Sequence, residues 1–213
     1  LQAIGNVYAK NDTWADSLLE IGELLVEKAV IEQDTYFEEQ GYSFIASGLI
    51  KKDEFPQASL TAKQALKALG NESLILRYYV ALAELKMENF PVALEYIDAQ
   101  LEVVKKNYSP LRDISSNLLK AEILFLDGQH EQSLELLEYA LNKANEINFA
   151  NYQKDALRQL AEFHQKTGQY EQSLNYLTQY NELKEKDFNA KQAKQLAFSR
   201  ARLELEQKNQ CIS

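Results

Sequence analysis

The chain has 213 residues, 46% of them hydrophobic, with 7 Gly, 3 Pro and a formal net charge of −9. That apolar content suits a substantial core rather than disorder, and so few turn-formers among many Leu, Ala, Glu, Gln and Lys residues point to helices joined by tight connections. The acidic balance disfavours nucleic-acid binding, the single Cys211 excludes an intrachain disulfide and a Cys-based metal cluster, and no apolar run is long enough to span a membrane.

In chain order the pattern predicts helices at about 1–11, 15–30, 34–51, 56–69, 72–88, 91–106, 110–126, 131–147, 150–166, 171–186 and 188–209. Residues 1–50 hold nine acidic side chains against Lys10 and Lys28. This is the signature of a solvated acidic face, and it also permits a basic or peptide partner near that end. Asn71 is the expected cap of the fifth helix, and Ser109 followed by Pro110 suits the start of the seventh. Pro56 and Pro91 sit in first turns, where no intrahelical N–H is lost. Gly128 and Gly168 fall in turns.

Five segments echo one another. Small residues at Ser17, Ala58, Ala93, Ser133 and Ser173 are spaced by 41, 35, 40 and 40 residues. Three positions before each stands an aromatic or His: Trp14, Phe55, Phe90, His130 and Tyr170. Twelve positions before each stands another small residue: Gly5, Ala46, Ala81, Ala121 and Ala161. Leu follows the small residue as Leu18, Leu94, Leu134 and Leu174, but the second unit has Ser59 there and Leu60 one later. Small side chains let two helices approach while the aromatic is expected to fill the adjoining gap. The period fits one helix hairpin per repeat.

These repeats resemble the tetratricopeptide family, whose pattern places Leu-Gly-x-x-Tyr in the first helix, an aromatic near the turn and a small residue in the second helix. Ile4, Gly5 and Tyr8 match its first part, followed by Trp14 and Ser17; Val80–Ala81 and Leu160–Ala161 repeat it, while Lys120 beside Ala121 departs from the apolar preference. The resemblance covers residues 1–186 and implies an all-α, right-handed superhelical solenoid. It comprises about five antiparallel helix hairpins (about 1–30, 34–69, 72–106, 110–147 and 150–186), with a capping or connector helix over 187–213. The segment "FSRARLELEQKNQ" resembles the stretch that follows such repeats in bacterial membrane sensors. There it precedes a transmembrane helix and a diguanylate cyclase or histidine kinase module, which implies a piece of a longer protein.

The residues carry little that suggests catalysis. His130 and His164 are the two histidines and occupy packing positions; Glu131 and Glu162 show no ligand spacing, so no metal or cofactor site is expected. The pairs Glu38/Glu39 and Asp53/Glu54 read as ionised groups on solvated faces. No phosphate-binding loop, dinucleotide fingerprint or nucleophile elbow is present. The family's groove-facing pattern, carried onto this chain, selects Asn6, Lys10, Ser43, Ser47, Tyr78, Leu82, Glu122, Phe125, Arg158, Glu162 and Gln165. Among them Tyr78, Leu82 and Phe125 are either an apolar anchor patch or buried against neighbouring helices, and Arg158 either meets a ligand carboxylate or is neutralised by Glu162.

The expected function is therefore a non-catalytic segment of a larger bacterial signalling protein that binds a protein, a peptide or a small ligand. A structural scaffold or oligomerisation module, with a homodimer allowed, is the alternative, and a cytoplasmic peptide-responsive regulator a third. The sensor resemblance implies the periplasmic side of an inner-membrane protein, the membrane being reached only through an adjacent segment.

Overall fold

A computed structural model describes residues 14–70 and 73–210, and the regular structure among them is all helical. The helices are α1 (Ala15–Glu32), α2 (Thr35–Lys51), α3 (Phe55–Ala68), α4 (Leu74–Lys86), α5 (Phe90–Lys106), α6 (Pro110–Leu126), α7 (His130–Glu146), α8 (Ala150–Lys166) and α9 (Tyr170–Gln210). The chain divides into two compact units, Leu1–Leu136 and Leu137–Ser213.

In the first unit each helix from α1 to α6 packs on the next, and α2, α4 and α6 also touch in succession. Those three helices therefore form one layer. The helical period supplies the core that holds them. Leu18, Ile21 and Leu25 bury against Phe44 of α2. Ala46 meets Ala62, Ala65 and Leu66 of α3 and Leu76 and Val80 of α4. Ala81 and Leu85 meet Ala93 and Ile97 of α5 and Leu119 and Ile123 of α6. Each cluster joins helices from neighbouring hairpins, so no hairpin buries its apolar side by itself.

Small residues bring the backbones together. Ser133 Oγ donates to the carbonyl of Ala121 at 2.7 Å, and in the second unit Ser173 Oγ donates to Ala161 at 2.8 Å. The twelve-residue spacing is thus a direct contact between the two helices of a hairpin. The hydroxyl uses the second lone pair of a carbonyl that already serves its own helix. Between α1 and α2 the approach is closer still. A Cβ on Gly41 would lie 2.9 Å from both the Gly22 carbonyl oxygen and the Val26 nitrogen. Neither is the movable end of a side chain.

The hairpin turns share one conformation. The residue two positions before the repeat aromatic has positive φ in four of them: Asp53 (59°), Glu88 (59°), Gly128 (84°) and Gly168 (78°). The left-handed region suits Gly and strains the other two.

Three sequence expectations are corrected. The cap of α4 is Ser73, whose Oγ accepts the Leu76 N–H at 3.1 Å; Asn71 lies outside the described residues. The break expected near residue 187 is absent, and α9 runs unbroken from Tyr170 to Gln210. The segment holds no Gly or Pro to stop it, and Asp187 is tied to Lys154 of α8 at 2.8 Å and to Lys191 one turn along at 2.9 Å. The repeat aromatics do not all fill their junctions. Phe55 and Phe90 are partly buried, but Trp14 and His130 are exposed and Tyr170 is 72% exposed. The aromatic stands at or beside the first residue of the second helix, where its ring has room to turn outward.

Two stability measurements by urea denaturation follow. Gly41→Ala forces α1 and α2 apart and is expected to cost about 1–3 kcal/mol. Glu88→Gly relieves the left-handed strain and is expected to stabilise by up to about 1 kcal/mol.

Candidate interaction surface

The sequence-selected residues fall into three groups along the chain, the first being Asn6, Lys10, Ser43 and Ser47. Asn6 and Lys10, with the repeat residues Gly5 and Tyr8, lie outside the described residues. Ser43 and Ser47 are buried in α2, which removes them from any ligand-facing surface. Ser43 Oγ donates to the Gln40 carbonyl at 2.8 Å. Ser47 hydrogen-bonds Tyr79, whose phenol burial pushes up in pKa while that bond pulls it back. These two serines are packing residues because α2 is flanked by α1, α3 and α4.

The second group is brought together. Tyr78 and Leu82 of α4 are partly buried against the cluster that contains Leu119 and Ile123 of α6. Tyr78 meets Tyr79 edge-on, with ring centres 5.8 Å apart. Lys86 Nζ reaches Glu122 Oε1 at 3.2 Å, a bridge between α4 and α6. Phe125, farther along α6, stacks on the ring of His130 at 4.8 Å. These apolar side chains pack inward and keep part of their surface exposed.

The third group lies in the second unit. Arg158 Nη1 pairs with Glu162 Oε1 at 2.7 Å, both half-exposed, and Gln165 is exposed farther along α8. His164 is buried, stacked on Tyr176 at 5.4 Å, with Nδ1 2.7 Å from Gln169 Oε1. Among the described residues no three His, Cys, Asp or Glu side chains gather to hold a metal ion, and no helix is long and apolar enough to cross a membrane.

Sequence reasoning missed Glu84. It is 3% exposed near the end of α4. Its Oε1 accepts from Lys63 Nζ at 2.6 Å and from Ser59, and its Oε2 accepts from Asn89 Nδ2 at 2.8 Å. Burial pushes its carboxyl pKa up, but the bonds from Lys63, Ser59 and Asn89 together outweigh that and hold it below the usual carboxylate range. The network joins α3, α4 and the start of α5. It also explains the irregular second repeat: Ser59 replaces the Leu found elsewhere because its hydroxyl serves a buried carboxylate. That exception was the one visible signal.

No protein-family model matches the chain, and a search of curated proteins finds no match. Solved structures do resemble it. A putative kinesin light chain of nearly identical TPR-like repeats from Podosopora anserina aligns at TM-score 0.63 and 16% identity, over 88% of this chain and 94% of that one. The Rap conjugation gene regulator of plasmid pLS20, in complex with the Phr* peptide, aligns at 0.61 and 16% identity, over 71% of this chain but 44% of that one. MamA from residue 41 to its end, from Desulfovibrio magneticus RS-1, aligns at 0.55 and 15% identity, over 81% and 96%. At such identities the likeness establishes the fold: an all-α, TPR-like helical repeat.

Because Glu84 has a depressed pKa in the folded chain, its stabilisation is present above the unfolded carboxylate range and is lost as pH falls through the folded pKa. Glu84→Ala is expected to cost about 2–4 kcal/mol at neutral pH. In urea titrations at stepped pH, the gap between wild type and variant should close on acidification.

Proposed function

We propose that the chain is a non-catalytic interaction module that binds a protein or peptide on the α2–α4–α6 layer. The observation that carries this is the juxtaposition on α4 and α6 of partly exposed Tyr78, Leu82 and Phe125 with the Lys86–Glu122 bridge. Aromatic and aliphatic anchors beside polar groups suit an apolar side chain whose flanking backbone needs hydrogen bonds. Support also comes from the fold, which in the Rap regulator is seen with a bound peptide. Arg158 and Glu162 offer a separate polar patch on the second unit.

The finer reading is sensing within a larger bacterial signalling protein. It is supported by α9, whose residues 188–202 are all exposed beyond the point where Asp187 is tied to α8. A rigid helix that leaves its packed partner is suited to carry a change in hairpin packing to another element. A second reading, self-association, rests on the same helix, where Phe188, Leu196 and Phe198 are exposed.

The test is selection of peptides from a random library on the purified chain, followed by calorimetry. Tyr78→Ala and Phe125→Ala are each expected to weaken the selected peptides about tenfold or more, with helical content by circular dichroism unchanged. Equal affinity for folded variants would remove the α4–α6 patch from the binding surface.

A further inference from the structure

An open pocket of about 400 Å³ lies in the first unit away from the Tyr78–Phe125 patch, at the starting ends of α2, α4 and α6. Its walls include Tyr36, Leu69 and Leu74, and two opposite charges, Glu39 and Arg112, line it together. They do not pair: no nitrogen of Arg112 comes within the 4.0 Å ion-pair distance of a carboxylate among the described residues. Ser115 and Ser116 donate to the backbone carbonyl of Arg112 and do not engage its guanidinium. Glu39 is anchored by the Ser73 hydroxyl, which it accepts on Oε1, and Ser73 is itself held by its bond from the Leu76 N–H. Its other oxygen, Oε2, has no cation partner among the described residues.

Elsewhere in this unit some charges pair across helices, as in Lys63–Glu84 and Lys86–Glu122. Two partly buried charges of opposite sign that share one cavity and remain apart leave room for a molecule that answers both. Arg112 offers a planar fork suited to a carboxylate, and Glu39 offers an acceptor for an ammonium group. The apolar walls of the same pocket suit a hydrocarbon or aromatic side chain, and the volume lies at the lower end of small-molecule sites. We propose that this cavity binds a free α-amino acid with an apolar side chain, its carboxylate on Arg112 and its ammonium on Glu39. This site is separate from the α4–α6 layer, and its failure would leave that reading untouched.

The test is calorimetry of the full chain with L-leucine and L-phenylalanine, each beside its N-acetyl and amide derivative. The free amino acids are expected to bind, and blocking either end to weaken binding about tenfold or more. Arg112→Gln is expected to abolish the preference for the free acid over the amide. Glu39→Gln is expected to abolish the preference for the free amine over the acetylated form. Circular dichroism checks both folds, and if Glu39→Gln unfolds through loss of its Ser73 contact, Arg112→Gln and the blocked ligands decide the matter. No binding up to about 10 mM, equal binding of the acetylated acids, or unchanged binding by Arg112→Gln would each overturn the proposal.

Discussion

Two helices of a hairpin can come close only where both present small side chains, and the rest of this fold depends on that contact. In two hairpins the contact is also a bond: Ser133 reaches the Ala121 carbonyl and Ser173 the Ala161 carbonyl across the same twelve residues. Where the hydroxyl is absent, Ala58 and Ala93 are fully buried at the corresponding position and close the contact by packing alone. Once the pair is that close, larger residues one turn away are carried against the next hairpin, and the clusters that join successive hairpins can form. Between successive hairpins the α1–α2 contact depends on small residues too, with Gly22 and Gly41 backbone to backbone.

Against this apolar frame the polar interior is selective. Glu84 is tolerated because Lys63, Ser59 and Asn89 together supply donors to both of its oxygens. Asn117 is held in the same manner by the carbonyl and carboxylate of Asp113 one turn earlier. These groups fix one helix against another or shape the end of a helix. They are accounted for by structure. Arg112 and Glu39 differ in kind, since they line one pocket and form no ion pair with each other.

The regularity of the repeats has a consequence for where specificity resides. Second helices carry the small residue and its neighbours, which serve packing, whereas first helices differ from one hairpin to the next at their exposed positions. Tyr78 and Leu82 on α4 thus meet Glu122 and Phe125 on α6 without any repeating motif among them. The long α9 departs from the repeat altogether: its first part packs on α8 as a second helix does, and its residues 188–202 are exposed.

The amino-acid sequence by itself determined the helical class, the repeat period and the contact pairs, because small residues and apolar positions recur at spacings that only helix hairpins satisfy. It also located the turns at Gly128 and Gly168, but not the equivalent left-handed conformations of Asp53, read with Glu54 as a solvated carboxylate, and of Glu88, whose side chain carries no turn signal. Tertiary structure alone decided burial. The family resemblance selected Ser43 and Ser47 as groove residues, yet neighbouring helices cover them; Tyr170 read as a junction filler, yet it is largely exposed. It alone revealed the partners of Glu84, which lie up to 25 residues away in sequence on another helix. Local pattern records which face of a helix is apolar. Which polar groups that face meets depends on how several helices converge, and no local spacing encodes that.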